Sequence, residues 1–165
     1  MAAGKSTVAQ LLAEQCDRSA HIRGDAFRRM IVSGRAEMRP DHAAESLAQL
    51  RLRYRLGAMV ADGYASAGFT AVVQDVILGP ELAAFVDCIA TRPRYVVVVI
   101  AQASVLADRD RGRSKSGYGE WTAAELDTSL RNDTPRLGLW LDNSRLTPAQ
   151  TVAAILDRLP EAAVD

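Results

Sequence analysis

Gly4-Lys5-Ser6-Thr7 is the most chemically specific stretch of the chain. It supplies the second half of the phosphate-binding pattern G-x-x-x-x-G-K-[ST]. A glycine lets the backbone approach an anion closely, Lys5 has the reach for the outer phosphates of a nucleotide, and Ser6 can offer a hydroxyl to magnesium. A helix beginning here adds free amides and the partial positive charge of its N-terminus. The pattern's first glycine would fall upstream of Met1, and the strand that should feed the loop is missing with it. In a parallel nucleotide-binding sheet that strand is central. The numbering is therefore expected to begin at an internal methionine, with the cradle half built. The competing reading is a chance tetrapeptide.

These residues need elements to hold them. Val8, Leu11 and Leu12 predict a helix over 6–14, and Ala20 to Arg23 a short strand. Asp25 can cap a helix running through Phe27, Met30 and Ile31 to a stop near Gly34. A long helix is expected over 43–67, despite Gly57 and Gly63. Phe69 to Gln74 reads as a strand that delivers Asp75 to its carboxyl end. Pro80 opens a helix through Cys88. Arg94 to Ala101 is the strongest strand signal, with the continuous apolar character of a strand covered on both faces. After a charged, glycine-punctuated stretch over 108–120, Thr122 and Glu125 form a capping box for a helix ending near Asn132. Leu137 to Leu141 predicts a last strand. Thr147-Pro148 and Gln150 then cap a helix carrying Val152, Ile155, Leu156 and Leu159. Alternating strands and helices predict an α/β fold with a mainly parallel sheet, in one domain spanning 1–165.

Composition narrows the function. Twenty basic and 20 acidic side chains cancel in 165 residues, so no overall field draws the chain to nucleic acid or anionic lipid. Cys16 and Cys88 are too few for a disulfide framework and are expected as reduced, buried core residues. The longest apolar run is much shorter than the roughly 20 residues of a membrane span, and no signal-peptide pattern opens the chain. A cytoplasmic protein without membrane or nucleic-acid partners is expected. Neither histidine has metal-ligand company, no serine sits in a nucleophile elbow, and no cysteine pair has zinc spacing. His21 is expected to be packed in its strand, and His42 to belong to a helix start.

Only Lys5 and Lys115 are lysines, so the other basic residues are arginines. Arg109 and Arg113 share a helix face at i, i+4, where like charges repel unless an anion or an acid neutralises them. Phosphate is one candidate, and Asp108 and Asp110 are another. Arg51 and Arg55 share one face of the long helix with Arg53 nearly opposite. That face could bind a polar acceptor, or simply be solvated or paired with acids.

The sequence resembles the small-molecule phosphotransferases of the chloramphenicol phosphotransferase-like, gluconate-kinase-like and zeta-toxin-like group. The resemblance spans nearly the whole chain. It rests on Gly4-Lys5-Ser6-Thr7, His21-Ile22-Arg23-Gly24-Asp25, Val72-Val73-Gln74-Asp75, Arg109-Asp110-Arg111-Gly112-Arg113, and Leu141-Asp142-Asn143-Ser144 before Thr147-Pro148. It implies that Asp25 acts at the acceptor hydroxyl and that Asp75 supports magnesium through water. It also implies that Arg109, Arg111 and Arg113 belong to a mobile lid over about 108–120, and that Asn143 and Ser144 contact the nucleotide base. Asp25 as a helix cap, Asp75 in an ordinary turn and the arginines on a solvated loop are the bland alternatives.

The function expected is an ATP- and magnesium-dependent kinase acting on a hydroxyl of a small molecule such as a sugar, nucleoside or antibiotic. Gly4, Lys5, Ser6 and Thr7 would bind nucleotide, Ser6 and Asp75 would place the metal, and Asp25, Arg28, Arg51 and Arg55 would face the acceptor. The alternative is a nucleotide-binding or interaction module with a degenerate loop and no turnover.

Overall fold

A computed structural model describes residues 3–37, 44–106 and 123–164. The first helix, α1 (Lys5–Ala13), buries Val8, Ala9 and Ala13. Strand β1 (Ser19–Arg23) leads without a break into α2 (Gly24–Arg29), and the long helix α3 (Ala44–Ser66) follows the segment 30–37 and leads to β2 (Thr70–Gln74). Helix α4 (Glu81–Asp87) precedes β3 (Arg94–Tyr95) and β4 (Val97–Ile100). The described chain then resumes with α5 (Ala123–Asn132), β5 (Leu139–Asp142), α6 (Pro148–Asp157), a 3₁₀ turn (Leu159–Ala162) and β6 (Ala163–Val164).

β1 and β2 form one parallel ladder, with His21 opposite Val72 and Arg23 opposite Gln74. β4 and β5 form a second, with Val97 opposite Leu139 and Ile100 opposite Asp142. Among the described residues no strand joins the two ladders. The strand residues of β2 and β4 are correspondingly only half-buried or exposed, where a strand covered on both faces was expected at β4.

The expected strand over 94–101 is in fact two. Val96 changes partners: its amide donates to Ala162 and its carbonyl accepts from Leu139. β3 thereby pairs antiparallel with β6, a strand the sequence pattern did not reveal. α2 is also shorter than expected. It ends at Arg29, and its N-cap is Arg23 rather than Asp25, which sits in the first turn.

α3 carries the inward stripe Ser46, Leu50, Arg53 and Gly57 at helical spacing. Its glycines are tolerated because tertiary packing outweighs a propensity cost of about 1 kcal/mol each. Tyr54, Ala58 and Phe85 form the core beneath α3, with Leu50, Val73 and Ile77 packed on it. A second core joins α1, β5 and α6 through Val8, Leu139, Leu141, Val152 and Ile155. At α6 the capping box forms as expected: Thr147 Oγ1 accepts from the Gln150 amide at 3.2 Å, and Gln150 Oε1 accepts from the Thr147 amide at 2.9 Å. Both cysteines are free. Cys16 is half-buried and Cys88 is exposed, against the expectation that both lie in the core. No helix among the described residues is long and apolar enough to cross a membrane.

Candidate functional site

Loop 3–6 ties the carboxyl ends of the two ladders together. Ala3 is buried against Ala101 and Leu106, just beyond β4. The Asn143 side chain, just beyond β5, donates from Nδ2 to the Ala3 carbonyl at 2.9 Å. On the other side, Ser6 Oγ donates to Gln74 Oε1 at 2.9 Å, at the last residue of β2. Gly4 is the N-cap of α1 with φ 81°, in the left-handed region that favours glycine, and no side chain caps the helix. The N-cap thus offers the first turn no side-chain acceptor, and the head of α1 carries the positive end of the helix dipole. This is the geometry an anion site requires. Thr7 is exposed on the first turn.

Asp75 lies next to this loop because Gln74 does. Its Oδ1 accepts from the Val76 amide at 2.7 Å and from Arg53 Nη2 at 2.9 Å. Both side chains of the ion pair are sheltered, at 14% exposure for Arg53 and 8% for Asp75. Burial pushes the Asp75 carboxyl above its ordinary value, and Asp25 pushes the same way. Arg53, the Val76 amide and Lys5 oppose the rise. The electrostatic reach of Lys5 and Asp25 to Asp75 draws the three into one neighbourhood. Tyr54 fixes the turn after Asp75 by donating its hydroxyl to the Val76 carbonyl at 2.8 Å.

Gly24 explains how α2 approaches so closely. A Cβ at this position would lie 1.9 Å from Asp75 Oδ2, so no larger residue fits without displacement. The next residue, Asp25, is about half exposed and forms ion pairs with Arg29 at 2.9 Å and Arg23 at 3.7 Å. One carboxylate is thus sunk behind the phosphate loop while another stands open beside it.

Between α2, the segment 31–36 and α3 lies an open pocket walled by Phe27, Ile31, Leu50 and Leu56, with Arg28 and Arg53 also lining it. Arg28 is ion-paired with Glu37. Arg51 and Arg55 do not line this pocket. Arg51 turns outward to a bidentate pair with Glu81 of α4, at 2.7 Å and 3.1 Å to Oε1, and Arg55 is exposed. The helical phase that puts those two on the solvent side turns Arg53 inward. The inward stripe that ends at Gly57 was the signal for Arg53. The glycine directly before Asp25 was the signal for the close approach to Asp75.

Asn143 is 3% exposed, with its amide engaged on the loop backbone. Ser144 Oγ accepts from the Gln102 amide at 2.7 Å and donates to Asp142 Oδ1. Both are committed within the protein, joining β4, β5 and the loop. The expected lid, with Arg109, Arg111 and Arg113, lies outside the described residues, as do His42 and Thr122. His21 shares a 2.8 Å hydrogen bond through Nδ1 with Gln10 Oε1 and lies in β1 beneath α1.

A helix headed by Gly-Lys-Ser at the carboxyl ends of parallel strands, with an acid at the end of the neighbouring strand, defines a P-loop kinase-like protein. The chain belongs to the AAA domain family, whose profile matches residues 1–135. Among solved structures it is similar to an unliganded sugar kinase from Janibacter sp. HTCC2649, with TM-score 0.64 and 21% identity over 98% of this chain and 90% of that one. It is also similar to a candidate kinase from Chloroflexus aurantiacus, with TM-score 0.55 and 18% identity over 97% of this chain and 91% of that one. At these identities the likeness establishes the shared fold. No curated protein matches the sequence.

Proposed function

We propose that the chain is an ATP- and magnesium-dependent kinase that phosphorylates a hydroxyl of a small molecule. The observation that carries this reading is that the head of α1, tied to Gln74 at the end of β2, the sunken Asp75 and the half-exposed Asp25 are close enough to act on one another. The donor set fits a nucleotide polyphosphate and a hard cation: backbone amides and an ammonium for the anion, a hydroxyl and a carboxylate for the metal.

Gly4, Lys5, Ser6 and Thr7 would hold the phosphates, with Ser6 offering its hydroxyl oxygen to the metal and Asp75 supporting it through water. Bound there, magnesium would neutralise charge on the phosphates. Asp25 orients the acceptor hydroxyl and takes its proton as the acceptor oxygen bonds to the terminal phosphorus. The bond from that phosphorus to the bridging oxygen breaks, and the leaving diphosphate keeps the electron pair. Lys5 stabilises the charge that develops on the transferring group. Arg53 holds Asp75 in place and opposes the upward push that burial gives its carboxyl. Asn143 acts on the nucleotide through the Ala3 carbonyl it holds, Ser144 supports the same region through its bonds to Gln102 and Asp142, and Arg109, Arg111 and Arg113 would add positive charge for the phosphates. The fold shared with an enzyme described as a sugar kinase supports the reaction class.

Lys5→Ala and Asp25→Asn test the assignment. Lys5→Ala is expected to lower turnover by about a hundredfold or more, since such electrostatic contacts contribute several kcal/mol to the barrier. Asp25→Asn is expected to retain nucleotide binding by calorimetry and to lose transfer. Full turnover by either variant removes that residue from its role. Nucleotide binding with no transfer to any acceptor in the unaltered chain would instead mark a binding module.

A further inference from the structure

Two polar residues stand at the end of β2, and they serve different sides of the sheet. Val73 packs in the core beneath α3, so the alternation of a strand turns Gln74 the other way, toward α1. There Gln74 Oε1 accepts from the Ser6 hydroxyl at 2.9 Å, a contact across 68 positions of the chain. Asp75 returns to the α3 side, where the Val76 amide and Arg53 hold its Oδ1 and Gly24 is pressed against its Oδ2. The partner of the Ser6 hydroxyl is therefore Gln74, a residue that neither the loop pattern nor the acid beside it brings to notice.

The direction of this bond matters to a cation. A serine hydroxyl has one proton and two lone pairs. With the proton committed to Gln74, the lone pairs of Ser6 Oγ face away from Gln74 and are available to a hard cation, which binds oxygen through them. Without an acceptor the hydroxyl rotates, and its proton can take the place of a lone pair. Partners that orient a metal's ligands in this way change metal affinity by about 10–100-fold. The acceptor here is also a neutral amide. A carboxylate of the same length would take the same proton more strongly and add a negative charge beside the cation, so glutamine keeps the hold on the metal below what the geometry allows.

Resting on the kinase reading above, we propose that Gln74 is a positioning residue for magnesium-bound nucleotide: it claims the Ser6 proton so that the Ser6 oxygen faces the metal. Its uncharged amide sets how strongly the metal tightens nucleotide binding. Gln74 acts through Ser6 and takes no part of its own in the transfer of proton or phosphoryl group.

Calorimetric titration of the full chain with ATP, once in EDTA and once with magnesium, gives the factor by which the metal tightens binding. Gln74→Leu is expected to lower that factor by about tenfold or more while metal-free ATP binds as before. Gln74→Glu, whose carboxylate can only accept, is expected to raise it. In a Ser6→Ala chain the factor is already reduced, and adding Gln74→Leu should not lower it again, since the second change acts only through the first. A side chain that merely fastened the loop to β2 would weaken both titrations alike and leave the factor unchanged. That result, a lower factor for Gln74→Glu, or a further loss in the double variant overturns the inference. A chain that shows the expected factors yet transfers phosphate to no acceptor overturns the kinase reading and leaves the role of Gln74 standing. Uptake of ATP in neither titration overturns both.

Discussion

Gly24 is pressed against Asp75 so closely that a methyl group on its Cα would fall 1.9 Å from Oδ2 and 2.4 Å from the carboxyl carbon. The carboxylate belongs to a sheltered ion pair and cannot simply swing aside. Gly24→Ala is therefore expected to cost about 1–3 kcal/mol, the usual penalty of overpacking, and to shift α2 or Asp75. Because α2 also carries Asp25, turnover should fall by more than the loss of folded protein accounts for. Denaturant unfolding together with activity per folded molecule checks this; unchanged values for both would show that the neighbourhood relaxes freely.

The pair of Arg53 and Asp75 separates stability from function. Removing one partner leaves a buried charge, so Arg53→Met should destabilise by about 3 kcal/mol. The double variant Arg53→Met/Asp75→Leu, which removes both charges, should recover most of that loss, since apolar replacements of a buried pair are often neutral. Activity should stay abolished in the double variant. Recovery of turnover along with stability would remove Asp75 from the metal site.

Asn143 makes a sharper prediction than a truncation alone. Asn143→Ala leaves the Ala3 carbonyl without its 2.9 Å donor, which should cost about 1–3 kcal/mol and weaken nucleotide binding through the loop. Asn143→Asp should be worse at neutral pH, because it sets a carboxylate oxygen against a carbonyl oxygen. Thermal unfolding and calorimetric titration with ATP give the order; equal behaviour of the two variants would contradict a bracing role.

His21 predicts a pH dependence. Burial, and secondarily Arg23, hold its imidazole below the ordinary 6.5. The folded chain therefore takes up this proton less readily than the unfolded chain, and just below pH 6.5 the unfolded state binds more protons. Stability should fall as pH drops from neutral through that window. His21→Gln should flatten this part of the profile of unfolding midpoint against pH, and an unaltered slope would assign it to other groups.

The order of elements was legible because it depends on local patterns. Asp75 ends its strand run, and Thr147, Pro148 and Gln150 specify their own cap within four residues. What was not legible depends on distant partners. Val96 breaks a run of apolar residues only because Ala162 and Leu139 claim its two backbone groups. Arg51 and Arg55 drew notice as a pair, while the neighbour that enters the site, Arg53, is identified by Ser46, Leu50 and Gly57 on its own side of α3. Cys88 is apolar by type but falls at the exposed C-cap of α4. Asn143 sits where a base contact was expected, yet its amide reaches Ala3, a pairing across 140 positions that no local rule anticipates.

The short loop from Ala3 to Ser6 touches β2 through Gln74 and reaches Asn143 beyond β5, with the two ladders otherwise unbonded edge to edge among the described residues. An anion settling on the head of α1 would thus act as a clasp as well as a guest. Occupancy and the breathing of the divided sheet become one equilibrium, so saturation should slow amide exchange at Val73 and Val99 within the two ladders.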